Sequence, residues 1–304
     1  MEKILTIGIP TYKRPHSCAK LLNQILNSQI LNDNVKVIVV NDSGSEEFEK
    51  EYATIINSYD GLDINYLTNV QNIGFPKSLL KLFSFCETKY LMMMADDDMI
   101  VIDFLEDILR FLNEKKPDLL SPQWLYRNGR FGRGIDVTRK VEIEEHRLCS
   151  GHAPGVIFNI ENVREFIPII EKRINIGCAA TLTYPLVSFA ISLILKNDNC
   201  WWYGEPIAME GDNCESGIKD GKGDHYSSVN SRIQQIAAFD DFILTFEDSQ
   251  IRNKLLLESR AWSIQKLLNS NSNKELKTKV LDYIDPSFTK KVYNKILKTI
   301  NKLK

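Results

Sequence analysis

Asp96, Asp97 and Asp98 stand side by side, with Ala95 between them and Lys89–Met94, a run that reads as a buried strand. Adjacent carboxylates repel one another and are poorly tolerated where the dielectric is low. A cation relieves both problems. Acid-rich, oxygen-only ligation suits a hard divalent ion such as Mg2+ or Mn2+, and such ions commonly hold a substrate's phosphates too. The competing reading is a solvated acidic loop that caps the next helix.

Other chemistries find little support. The six cysteines, Cys18, Cys86, Cys149, Cys178, Cys200 and Cys214, are scattered without a CxxC pair. That pattern suits reduced thiols in a cytoplasmic protein rather than a disulfide framework or a zinc site. The net charge of −2 argues against a general nucleic-acid binder. No glycine fingerprint for a dinucleotide follows the first strand. Gly221-Lys222-Gly223 is too short for a phosphate-binding GxxxxGK[ST] loop. The most apolar stretch, Tyr184–Leu195, covers about 12 residues, where a membrane span needs about 20. Residues 1–10 are too short, and too soon broken by Pro10, for a signal peptide.

The acidic triplet needs elements to position it. Strands are expected over Ile4–Ile9, Val35–Val40, Ile64–Leu67 and Tyr90–Met94, with a fifth beginning at Asp118–Leu120. Helical spacing covers Pro15–Leu26, Glu46–Ile56, Pro76–Cys86 and Ile102–Leu112. Alternation at this interval predicts a doubly wound, mainly parallel α/β sheet. Ligands of such sheets sit beyond the carboxyl ends of the strands. Polar groups gather at four of those ends: Pro10–Arg14, Asn41–Gly44, Asn69 with Asn72 and Gly74, and the aspartates. Beyond them, residues 123–155 read as loops with a short hairpin. Glu161–Lys172 and Pro185–Lys196 read as helices, Trp201–Met209 as a strand, Gly211–Asp224 as a glycine-rich loop and Val229–Leu268 as mostly helical. The terminal Pro286–Lys304 carries six lysines and no acid, with an apolar helical face.

Four motifs, each after a strand, carry a family resemblance: Ile9-Pro10-Thr11-Tyr12-Lys13-Arg14, Val39 to Ser45, Asn72-Ile73-Gly74 and Met94 to Asp98. In this order they resemble family 2 glycosyltransferases of the GT-A fold, over about residues 3–120. The Asp-Asp-Asp variant is similar to bacterial surface-polysaccharide transferases of the abequosyltransferase-like kind. The resemblance implies a GT-A catalytic domain over residues 1–228 and a C-terminal helical region over 229–304. Within the domain, residues 1–120 would form the nucleotide-binding half and 121–228 the acceptor side. It implies transfer of a hexose or N-acetylhexosamine from a nucleotide-diphosphate sugar, UDP-linked, to a glycan or lipid-linked acceptor, with Mn2+ or Mg2+ as cofactor. Pro10, Thr11 and Tyr12 would wall the base, and Asp42 would accept from base or ribose. Asn72 and Gly74 would lie against the nucleotide, Gly74 for want of a side chain. Asp98 would bind the metal directly, and Asp96 would contact ribose or the metal through water. Asp97 is either a donor contact or a cap for the next segment. Arg14 binds phosphate or pairs with an acid.

The chain departs from the family pattern in two places. The arginine many members carry after Asn-X-Gly is replaced here by Lys77 or Lys81. The region expected to hold the catalytic base, Ile176–Tyr184, has no acid, which leaves the stereochemistry open. Asp212 is the candidate base, with Glu205, Glu210 and Asp224 behind it, and His225 is a candidate metal or diphosphate ligand. Gly151–Gly155 would sit near the sugar or acceptor, and Trp201 or Trp202 could stack on a sugar or pack in the core. The lysine-rich tail would suit peripheral contact with an anionic membrane, or pack on its own domain. The rivals to transfer are a nucleotide-sugar-binding scaffold without turnover, which the missing base favours, and a sugar nucleotidyltransferase.

Overall fold

The computed structural model describes residues 3–211 and 229–269. The chain divides into two compact units, one of residues 1–176 and 184–216, the other of residues 177–183 and 217–304.

The first unit begins β1 (Leu5–Thr11), α1 (Pro15–Asn27), α2 (Gln29–Asn34), β2 (Val35–Asn41), α3 (Glu46–Asn57), β3 (Ile64–Thr68), α4 (Phe75–Phe85) and β4 (Tyr90–Met93). It continues β5 (Met99–Ile100), α5 (Leu105–Lys115), β6 (Leu119–Leu125), β7 (Arg139–Lys140), α6 (His146–Ser150) and β8 (Ile157–Asn159). Then come α7 (Ile160–Arg164) and α8 (Ile167–Asn175) and, after a segment of the other unit, α10 (Pro185–Asn197) and β9 (Cys200–Met209). The second unit contributes α9 (Ala179–Thr183), α11 (Val229–Leu244) and α12 (Ser249–Asn269). In α11 and α12, Ile236, Phe239, Ile243 and Leu255 are buried.

Sheet order is β3-β2-β1-β4-β8-β6-β9-β5, with β7 on the flank of β9. β1, β2, β3 and β4 run parallel, as do β6 and β9; β8, β5 and β7 pair antiparallel. The β-branched run of β2 sits inside the sheet, where both faces are covered, and all but Lys36 of its residues are buried. The parallel core is closed on one side by α1, whose buried Cys18, Leu21, Leu22 and Ile25 recur at helical spacing. Burying one such Leu or Ile stabilises by roughly 1.5–3 kcal/mol.

The mainly parallel α/β architecture and the helices after it agree with the sequence reading. Several details differ. The expected helix over Glu161–Lys172 is two helices, because Pro168 in the first turn of α8 supplies no amide to continue α7. The two-residue strand β5 and the short helices α2 and α9 were not anticipated, so the strand from Leu119 is the sixth. It runs on to Leu125, past the point where loops were expected. A short hairpin does follow, with Leu125 bridging Phe131 antiparallel and the Tyr126 amide donating to the Arg130 carbonyl.

Candidate functional site

β1 and β4 pair from Leu5 with Tyr90 to Gly8 with Met93 and then part. Chain order in the sheet reverses between these two strands, which opens a crevice at their carboxyl ends. Thr11 at the end of β1 and Asp96 in the turn after β4 meet across it: the Thr11 hydroxyl donates to Asp96 Oδ2 at 2.5 Å. Arg14 spans two of the aspartates, with Nη2 2.6 Å from Asp96 Oδ1 and Nη1 2.5 Å from Asp97 Oδ2. Arg14 thus pairs with acids here. Asp97 engages Arg14 and caps no helix, since β5 rather than a helix follows it. Burial raises the Asp96 carboxyl from its usual range to about 6, although Arg14 and Thr11 pull the other way.

Asp98 is placed differently. It is 7% exposed, and its Oδ1 accepts from the Gly211 amide at 3.2 Å. Burial pushes its carboxyl up to about 7; the Gly211 amide opposes that shift, and the negative charges of Asp97, Glu210 and Asp96 add to it. Among the described residues no three His, Cys, Asp or Glu side chains converge to enclose a metal. The donor set nonetheless fits Mg2+ or Mn2+, which are commonly held by one or two carboxylates together with substrate phosphates and water. A buried carboxylate facing further negative charge is relieved by such an ion. Asp96 lies beside Asp98, with Thr11 donating to its Oδ2 and Arg14 paired with its Oδ1.

The walls come from residues that sequence reasoning passed over. The Gln24 side chain pairs with Ile100 like a neighbouring strand, donating to its carbonyl at 2.7 Å and accepting from its amide at 2.9 Å. This fixes the chain just after Asp98. Gly211 packs so tightly on the Asp97–Asp98 backbone that a Cβ would overlap the Asp97 carbonyl oxygen, and Arg127 Nη2 donates to the Gly211 carbonyl. A cavity of about 120 Å3 lies between α1 and the aspartates, lined by Ser17, Lys20, Gln24, Asp96, Asp97 and Asp98 among others.

Beside the crevice, the second and third motifs fold onto each other. Asp42 Oδ1 accepts from Asn69 Nδ2 at 2.9 Å and the Ile73 amide at 2.8 Å; Oδ2 accepts from the Gly74 amide at 2.8 Å. Three acceptor positions of this carboxylate therefore hold the β3–α4 loop. Asn72 Oδ1 also accepts from the Gly74 amide, at 2.9 Å. Gly74 is required for its backbone, φ +82°, whereas a Cβ there would meet nothing closer than Pro76 at 3.7 Å. At Gly44 a Cβ would stand 2.6 Å from the Asn72 nitrogen. Of the two lysines, Lys81 reaches the loop, donating to the Thr68 carbonyl at 2.9 Å and Asn69 Oδ1 at 2.7 Å. Lys77 is exposed on the first turn of α4. Pro10, paired with Val40, lies in the part of β1 beyond its pairing with β4, so its missing amide is tolerated. The Tyr12 ring is 45% exposed, with Lys13 Nζ 5.2 Å from its centroid.

Tyr52, the only buried residue of α3, donates or accepts at 2.6 Å with the Thr11 hydroxyl and accepts from the Arg14 amide at 2.9 Å. Burial holds its phenol protonated well above the usual range. The 151–155 turn also reaches the acidic strand, since the Gly155 amide donates to the Met93 carbonyl at 2.8 Å. Arg133 clamps that turn through the His152 and Pro154 carbonyls, both at 2.8 Å. Trp202 is a core residue, its indole donating to Glu145 at 2.9 Å, and Trp201 packs edge-on against Phe111. Both open β9, at the other end from Met209, which pairs with Met99 next to Asp98. Asp212, Asp224, His225 and the Pro286–Lys304 tail lie outside the described residues.

The model of the family described as Glycosyl transferase family 2 matches residues 6–164. Among solved structures, the 1–349 fragment of TarS from S. aureus superposes with a TM-score of 0.62 at 16% identity, over 90% of this chain and 76% of that one. Its complex with UDP-GlcNAc gives a TM-score of 0.64 at 17% identity, over 92% and 80%. The mannosyltransferase PcManGT from Pyrobaculum calidifontis, in complex with GDP-Man and Mn2+, gives 0.58 at 11% identity, over 98% and 88%. At these identities the likeness is one of fold. No curated protein matches the chain. No helix among the described residues is long and apolar enough to cross a membrane.

Proposed function

The chain belongs to glycosyl transferase family 2, and from that premise we propose that it moves a hexose or N-acetylhexosamine from a UDP-linked donor to a hydroxyl of a bacterial surface glycan or lipid-linked oligosaccharide. One observation carries the reading. At the switch point of the sheet, Arg14 compensates Asp96 and Asp97 while Asp98 is buried beside further negative charge. Fold neighbours solved with UDP-GlcNAc and with GDP-Man and Mn2+ add support for a nucleotide-sugar donor and a divalent ion.

In this reading Asp98 holds Mn2+ or Mg2+, with Asp96 beside it. When bound there, such an ion would supply Lewis-acid stabilisation of a leaving nucleotide diphosphate. Arg14 keeps Asp96 and Asp97 from repelling each other, and Thr11 fixes the Asp96 carboxylate. Tyr12 offers an exposed ring against the base. Asp42 shapes the Asn72–Gly74 loop on which the nucleotide would lie, rather than meeting it with all its oxygens. Asp212 is the proposed base for the acceptor hydroxyl and His225 a proposed further ligand. The catalytic domain is taken as residues 1–228, and the tail Pro286–Lys304 as a peripheral contact with anionic lipid.

Release of free UDP over a panel of nucleotide sugars with Mn2+ tests the assignment. Turnover of one donor is expected. UDP binding without turnover of any donor would favour the scaffold reading. Removing Pro286–Lys304 is expected to reduce pelleting with anionic liposomes while sparing donor hydrolysis; unchanged pelleting would leave the tail without a membrane role.

A further inference from the structure

We propose that the Tyr52 hydroxyl is a positioning group that sets Arg14 and Asp96 together from inside the core. The inference rests on the crevice being the donor site. Its basis is a hydrogen-bond chain whose direction is fixed. The Arg14 amide donates to the Tyr52 oxygen at 2.9 Å. The Thr11 hydroxyl spends its single proton on Asp96 Oδ2 at 2.5 Å. The 2.6 Å contact between Tyr52 and Thr11 must therefore run from the phenol to the threonine oxygen. Each hydroxyl donates once and accepts once, so the chain has no slack.

The position of Tyr52 makes this more than a core contact. Its side chain is fully buried, so the ring is immobilised and the oxygen becomes a rigid reference point. That oxygen acts at both ends of the same turn. Through Thr11 it orients the Asp96 carboxylate. Through the Arg14 amide it holds a backbone whose preceding residue, Lys13, is left-handed at φ 54°. A non-glycine residue keeps that conformation only where its surroundings enforce it. From this turn the Arg14 guanidinium reaches Asp96 and Asp97. One phenol thus fixes both the Asp96 carboxylate and the guanidinium that neutralises it.

Calorimetry of UDP with Mn2+ on the full chain tests this. Tyr52→Phe keeps the ring and should weaken binding by about tenfold, the effect expected when an orienting partner of a metal site is lost. Thr11→Val breaks the same chain one link on, and the double variant should bind no worse than the weaker single one. Thr11→Ser keeps the hydroxyl and should restore affinity. Affinity within twofold of wild type in Tyr52→Phe, or losses that multiply in the double variant, would overturn the proposal. A melting temperature that falls while affinity holds would count as overturning too. Should the wild-type chain bind no UDP with Mn2+, the donor-site reading fails, and amide exchange decides the chain of bonds. Arg14 exchange should quicken about tenfold in Tyr52→Phe; an unchanged rate would defeat the proposal.

Discussion

Three consecutive aspartates have two fates. Asp96 and Asp97 share Arg14, and Asp98 is left with one amide. That the triplet would stand at the carboxyl end of a buried strand was legible in the sequence, because the apolar run before it marks that strand. That Arg14 would engage the first two was not, because a pairing across 82 residues leaves no local pattern. Asp98→Asn should separate function from stability. Its carboxyl rises from the ordinary 3.8 to about 7 in the folded state. The stability contributed by its proton is therefore full below pH 3.8 and is lost as pH climbs through 7. Removing the charge at pH 8 without metal should raise the melting temperature by about 2 °C or more. Mn2+-dependent UDP affinity should meanwhile fall by about 100-fold. A variant that melts lower, or binds as well as wild type, would contradict the placement of Asp98.

At the scale of elements, the strands were legible because β-branched runs and intervening helices repeat at regular intervals. The loops were less so. The sequence pointed to Asp42 as a nucleotide contact and to Gly74 as a point of close approach. The structure also ties the two together, with the Asp42 carboxylate gathering Asn69, Ile73 and Gly74. Loop pairings of this kind depend on where β2 and β3 end relative to each other, which residue order alone does not fix. β5 is two residues long, too short for any periodicity. Asp42→Ala should leave the Ile73 and Gly74 amides short of an acceptor and cost about 1–3 kcal/mol in urea unfolding. A loss of nucleotide affinity without that loss of stability would mean the carboxylate serves the ligand rather than the loop.

For the whole molecule, two buried groups pull stability in opposite directions with pH. His146 is fully buried, with Nδ1 2.7 Å from the Ile143 carbonyl. Burial, aided by the neighbouring Arg147 charge, pushes its pKa from 6.5 down to about 3. The folded protein keeps this ring neutral while the unfolded chain protonates it, so its contribution is present above pH 6.5 and is lost as pH falls towards 3. Asp98 works the other way across an overlapping window, 3.8 to about 7. The histidine was not legible as special, since nothing in His146-Arg147 marks a buried ring, and only the packing of α6 removes it from water. Together the two groups flatten the acid side of the stability curve, and single variants should tilt it. His146→Gln should make the chain less sensitive to acid between pH 6.5 and 4, and Asp98→Asn should make it more so. Urea midpoints for wild type and both variants, taken from pH 4 to 8 without metal, read this directly. The gap between His146→Gln and wild type should shift in favour of the variant as pH drops, because glutamine has no proton to gain on unfolding. A gap that stays constant with pH would mean that His146 titrates alike in both states, and its burial would then carry no charge penalty.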